Sequence, residues 1–133
     1  MATTLTKITR DYIDLDLAFE KHPITNNVSI KKKINAVKQS VINLLTLKEG
    51  DKPFHPEIKS PIYGYLFENA SVVVKVVLES EIRKYLIAYE PRINISDIQV
   101  SFPDNNTISC SIVGEIINIS EPFTVNILMD RLR

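Results

Sequence analysis

The sequence predicts an α+β domain in which two long helices cover one face of a small antiparallel sheet, in the order strand, helix, helix, strand, strand, strand. Three observations predict it. Apolar residues recur at helical spacing in two long segments, a proline at position 91 stops the second of them, and beyond it the period switches from helical to alternating. At 133 residues the chain reads as one domain, 1–133, able to bury a single core without disulfides or a structural metal.

Residues 11–19 alternate, with Ile13, Leu15, Leu17 and Phe19 on one side and Asp14, Asp16 and Ala18 on the other. This is the period of a half-buried strand whose aspartates face solvent, expected as a fourth member of the sheet. His22-Pro23 ends it. Between Ser29 and Leu47 a helical stripe runs through Ile30, Ile34, Val37, Val41, Leu44 and Leu45, with Asn27 or Ser29 expected as its N-cap. Lys31, Lys32 and Lys33 oppose the helix dipole there and are read as a solvated face rather than a binding patch.

Gly50 stops the first helix, and Pro53, Pro56 and Pro61 keep residues 51–61 an extended connection. A helical turn is expected over Tyr63 to Asn69. Ser71 then caps the second long helix, which reaches Tyr89 with a stripe at Val74, Leu78, Ile82, Tyr85 or Leu86, and Tyr89. Glu79 and Arg83 stand four apart in the order that supports an exposed helix face.

Pro91 bars Glu90 from helical geometry. Ile98, Val100 and Phe102 then mark one strand, Pro103-Asp104-Asn105-Asn106 a turn, Ile108, Cys110 and Ile112 a second strand, and Phe123, Val125, Ile127 and Met129 a third. The expected tail is a three-stranded antiparallel meander.

Sixteen basic and sixteen acidic residues cancel, which leaves no global field to attract nucleic acid or an anionic membrane. No stretch is apolar and long enough to span a bilayer, and Met1 to Lys7 carry no secretion signal, so a cytoplasmic chain is expected. The single Cys110 lies in an alternating apolar segment without basic neighbours and reads as core. His22 and His55 each neighbour a proline without ligand partners at short spacing, and three glycines cannot build a phosphate-cradling loop. No metal, cofactor or catalytic constellation is expected. One enzymatic alternative is a glycosidase pair formed by Glu57 or Glu68 with Asp11, Asp14 or Asp16.

Glu90-Pro91-Arg92 resembles a signature of the baseplate wedge and sheath-initiator family of contractile phage tails, shared with type VI secretion and other contractile injection systems. The resemblance extends in order through Ile13-Asp14-Leu15-Asp16-Leu17, Asn27-Val28-Ser29-Ile30, the stretch Gly50 to Glu57 and Leu66-Phe67-Glu68-Asn69, covering about residues 11 to 131. Two departures occur: Ile58-Lys59 where the family often has an aromatic residue and glycine, and Lys52 where it often has arginine.

The resemblance implies a non-enzymatic structural subunit of the virion tail baseplate, present in six copies. Its implied partners are other wedge proteins, the tail sheath protein and the tail tube. It implies that Glu90, Pro91 and Arg92 bind the helical bundle of the wedge core. The reading of the residues also leaves open an internal cap, in which Arg92 bonds the last carbonyls of the helix. Strands 107–117 and 123–131, with Asp11 to Phe19 at the other edge, are the candidates for exchange with sheath subunits. The alternative function is a peptidoglycan hydrolase, a label some members of the family have carried.

Overall fold

The computed structural model describes residues 12–119 and 121–130. In chain order its elements are β1 (Ile13–Leu15), β2 (Ile30–Lys32), α1 (Ile34–Thr46), the one-turn α2 (Ile62–Tyr65), α3 (Val72–Tyr89), β3 (Ile93–Asp104), β4 (Thr107–Ile116) and β5 (Pro122–Asp130). The class is α+β. The order departs from the expected one, because a second strand precedes the first helix and the strands form two sheets, β1-β2 and β3-β4-β5.

The segment at 11–19 is therefore not a fourth strand of the meander. Its strand, β1, pairs antiparallel with β2, placing Ile13 opposite Lys32 and Leu15 opposite Ile30. The loop between them closes through a bridge from Lys21 to Val28. His22 organises it, its Nδ1 accepting from the N–H groups of Ile24 and Thr25 at 3.3 Å each. The faces are also the reverse of those expected: Ile13, Leu15, Leu17 and Phe19 are exposed, while Asp14 and Asp16 turn inward. Alternation defines two faces, but the partners decide which is covered. Asp16 meets Lys31 at 3.6 Å and accepts from the Ala18 N–H, and Asp14 meets Arg92.

The first helix starts later than expected, at Ile34, and neither Asn27 nor Ser29 caps it. Three successive lysines at a helix N-terminus are electrostatically unfavourable. Here two of them lie in β2, and Lys33 takes a left-handed φ of 53° that separates strand from helix. Ile30 consequently sits exposed in β2 rather than in the helical stripe. Within α1, Ala36, Val37, Val41 and Leu45 are buried. On its other side the Gln39 amide donates to Leu15 C=O at 2.7 Å and accepts from Leu17 N–H at 3.4 Å, laying the ribbon along the helix.

Gly50, with φ +86°, begins the proline-bearing connection, and Ser60 N–H returns to Leu47 C=O at 2.9 Å. Ser71 caps α3, its hydroxyl accepting from Val74 N–H at 3.2 Å. Leu78, Ile82 and Leu86 form the buried stripe of α3, and Tyr89 stays exposed. The Tyr85 hydroxyl ties α3 to α1 by donating to Leu44 C=O at 3.0 Å. Glu79 and Arg83 do not serve each other. Glu79 accepts from Val100 N–H at 2.9 Å with Lys75 at 4.0 Å, and Arg83 donates to Ile95 C=O at 3.3 Å.

The meander forms in the order β3-β4-β5, all antiparallel. Asn105 and Asn106 make its first turn while Pro103 and Asp104 remain in β3. One face carries Ile98, Val100, Ile108, Cys110, Ile112, Phe123, Val125, Ile127 and Met129 into a core shared with α1 and α3. A bulge between Ile95 and Asp97 brings β3 close over Gly114. A Cβ there would lie 2.5 Å from Asn94 O and 3.1 Å from the Phe123 ring, so glycine is required by space.

Candidate functional site

The corner between α3 and β3 begins with Glu90, the helix C-cap, whose N–H donates to Leu86 C=O at 2.8 Å. Its φ of −128° and ψ of 80° follow from the proline behind it, which excludes helical geometry. The chain therefore turns, and the Glu90 side chain folds inward to only 2% exposure. Pro91 stays exposed.

Arg92 grips that carboxylate with a two-point fork, Nε to Oε1 at 2.6 Å and Nη2 to Oε2 at 2.9 Å. Ser40, from α1, donates to Oε2 as well. On its other side the Arg92 Nη1 donates to Asp14 Oδ2 at 3.3 Å, and the guanidinium lies over the Tyr12 ring, 5.4 Å from its centroid. Arg92 thus bonds Glu90 and Asp14 rather than the last carbonyls of α3. Its own C=O accepts from Ile117 N–H at 2.8 Å, and Tyr12 OH donates to Ile117 C=O at 3.2 Å. One cluster joins β1, α1, the end of α3 and the chain after β4.

Burial alone would raise the Glu90 carboxyl, but the bonds from Arg92 and Ser40 outweigh it and hold it below its ordinary value. The bond to Glu90 pushes Arg92 up, against the effect of burial. Both stay ionised, which is what a buried charge requires of its partner. A guanidinium has five N–H donors. Three are engaged here, so among the described residues two remain uncommitted on a side chain that is 23% exposed.

The triplet was legible as a motif, but Asp14, Ser40 and Tyr12 were not. Asp14 looked like a solvent-side residue of an alternating strand, and Ser40 carries no signal in sequence. Only the fold brings position 14 to position 92.

Among the described residues, the acids of the glycosidase alternative have other partners or lie exposed. Asp14 is tied to Arg92 and Asp16 to Lys31. Asp11 lies outside the described residues. Glu57 is exposed beside His55, 3.1 Å away, and its carboxyl is lowered by a bond to its own backbone and then by His55. A general acid needs the opposite shift. Glu68 is exposed, and its backbone N–H donates to Tyr65 C=O at 3.1 Å. Cys110 is buried, with its thiol pushed up to about 12 by desolvation, as expected of a core cysteine.

Comparison with known proteins gives this geometry a setting. Baseplate wedge protein gp25 of Enterobacteria phage T4 is 29% identical over 90 residues, 68% of this chain and 67% of that protein. Two solved structures share the fold. A crystal structure of a Geobacter sulfurreducens protein designated a tail lysozyme aligns with a TM-score of 0.65 at 17% identity, covering 73% of this chain and 89% of that one. A chain of the six-fold symmetrised cryo-EM baseplate of the anti-feeding prophage aligns with a TM-score of 0.63 at 18% identity, covering 92% and 88%. Residues 31–120, which contain the whole helix-to-sheet corner, match the family described as Baseplate wedge protein gp25, and the chain belongs to that family of contractile-tail baseplate wedge proteins.

Proposed function

We propose that this protein is a non-enzymatic structural subunit of a contractile-tail baseplate, which binds other wedge proteins through the corner at Glu90, Pro91 and Arg92 and templates the first sheath ring by strand exchange. The observation that carries the reading is the Glu90–Arg92 fork inside the family-matching region. Glu90 acts from within. It fixes the guanidinium, so that the two uncommitted donors and the exposed Pro91 form a preorganised point of contact for a partner's carboxylate or carbonyl oxygens. The wedge-core bundle supplies that partner, and six copies encircle the tail. The sheath, and the tube it surrounds, meet the meander side of the molecule, where backbone edges accept strands with little demand on side-chain identity.

Reconstitution of baseplates with Arg92→Lys tests the corner. Lysine keeps the charge but cannot make the fork. Loss of incorporation by a folded variant is the expected result, and normal incorporation refutes the assignment.

A second reading, peptidoglycan hydrolysis, is favoured by the fold shared with a protein designated a tail lysozyme. Against it stand the partners of the candidate acids: Asp14 is held by Arg92 and Asp16 by Lys31. A zymogram with the purified chain separates the readings: lysis that disappears with Glu57→Gln or Glu68→Gln establishes the hydrolase, and a clear negative leaves the structural role.

A further inference from the structure

A three-stranded meander has two outer edges, and in this protein they are chemically unlike. In an antiparallel pair, alternate residues direct their N–H and C=O away from the neighbour. Val100 N–H goes to the Glu79 carboxylate at 2.9 Å, so Val100 is an outward-directed residue of β3. Its partner Cys110 therefore turns its backbone groups to β5, where it pairs with Ile127. By the same alternation Thr124, Asn126 and Leu128 direct their N–H and C=O outward from β5.

The β3 edge is occupied. Glu79 accepts from Val100 N–H, and one helical turn later Arg83 donates to Ile95 C=O at 3.3 Å, so one donor and one acceptor of the edge are already taken by α3. Register shifts between Ile95 and Asp97 and between Ser101 and Asp104, together with Pro103, break its regularity further. These are the devices by which natural sheets prevent edge pairing. The β5 edge carries a proline only at its first residue, Pro122, and none of the other devices. Its register with β4 is unbroken from Pro122 to Asp130, its outward positions between those ends carry uncharged Thr124, Asn126 and Leu128, and among the described residues no side chain bonds its outer backbone.

We infer that Glu79 and Arg83 are edge guards that close β3, making the sheet a one-sided acceptor that takes a single extended segment of a partner chain along β5. This rests on the strand-exchange reading and adds to it a direction: one edge accepts and the other is sealed from the helix side. The occupant is an uninterrupted β-forming segment without proline, with apolar residues at alternate positions to continue the covered face.

The test uses the full chain and, as probe, a synthetic peptide of residues 107–116 with Cys110→Ser, a strand that pairs with both β3 and β5 inside the fold. The wild type is expected to bind one peptide by calorimetry, with hydrogen-exchange protection gained over 122–130. Asn126→Pro removes an outward N–H without touching the β4 ladder and should weaken binding at least tenfold; if it does not fold, Leu128→Pro replaces it. The double variant Glu79→Ala, Arg83→Ala should bind two peptides and gain protection over 98–102. Glu79→Gln keeps an acceptor and should still bind one. Protection of 98–102 in the wild type, or a double variant that stays at one peptide, overturns the guard assignment while strand addition stands. Absence of binding by every protein at millimolar peptide overturns strand addition itself.

Discussion

Asp14 and Arg92, 78 positions apart in the chain, meet at 3.3 Å and hold the β1-β2 ribbon against the end of α3. Asp14 is partly exposed, so the pair is solvent-screened and worth less than about 1 kcal/mol. Asp14→Ala should therefore leave global stability nearly unchanged while hydrogen exchange accelerates in residues 13–15 and 30–32. Unchanged exchange in the ribbon would show that Asp14 does not hold it.

Glu90 is the opposite case. Glu90→Ala removes both bonds of the fork but leaves Arg92 partly exposed and still beside Asp14, so the loss is that of charge-assisted hydrogen bonds, about 1.5–3 kcal/mol. Glu90→Ala should lose stability on that scale in urea unfolding. Ser40→Ala, which removes one of three side-chain bonds to the carboxylate, should cost about 1 kcal/mol.

The lowered Glu90 carboxyl also sets a pH dependence. The folded state binds this proton less readily than the unfolded chain, so stability rises with pH across the window between the two values. The contribution is fully present above about pH 4.5 and is lost as pH falls through the folded value. Urea midpoints of wild type and Glu90→Gln, measured in steps from pH 7 downward, should converge in acid. A constant gap would contradict the assignment.

Gly114→Ala places a methyl group 2.5 Å from the Asn94 carbonyl oxygen, and backbone cannot yield as a flexible side chain can. The expected loss is about 1–3 kcal/mol, with the disturbance centred on the β3 bulge in NMR amide shifts.

Cys110 should be unreactive. Burial pushes its thiol up to about 12, so at pH 8 the folded protein should modify with a disulfide reagent only as fast as it opens. A rate that rises in proportion to reagent concentration without limit would mean the thiol is accessible in the folded state.

Elements whose apolar period was long and unambiguous were legible in the sequence. The eighteen residues of α3 with their Ser71 cap, and the alternating buried positions of β4 and β5, stand where the pattern places them. The failures cluster where a short segment fits two periods. Ile30 fits a helical stripe with Ile34, yet belongs to a strand because Lys33 breaks the backbone between them. The face of β1 was misread because an aspartate at strand period looks solvated until its cationic partner is known. At the corner, Pro91 announces the turn, while the partners that meet it, Ser40 at Glu90 and Asp14 at Arg92, are supplied only by tertiary structure.

Gln39 holds the ribbon by touching only main-chain atoms, the C=O of Leu15 and the N–H of Leu17. These bonds fix the backbone at Leu15 and Leu17 without using their side chains, while Asp14 and Asp16 anchor the same segment through theirs. Ile13, Leu15 and Leu17 are exposed, so their side chains form a displayed apolar row whose position is set by the backbone and the aspartates between them.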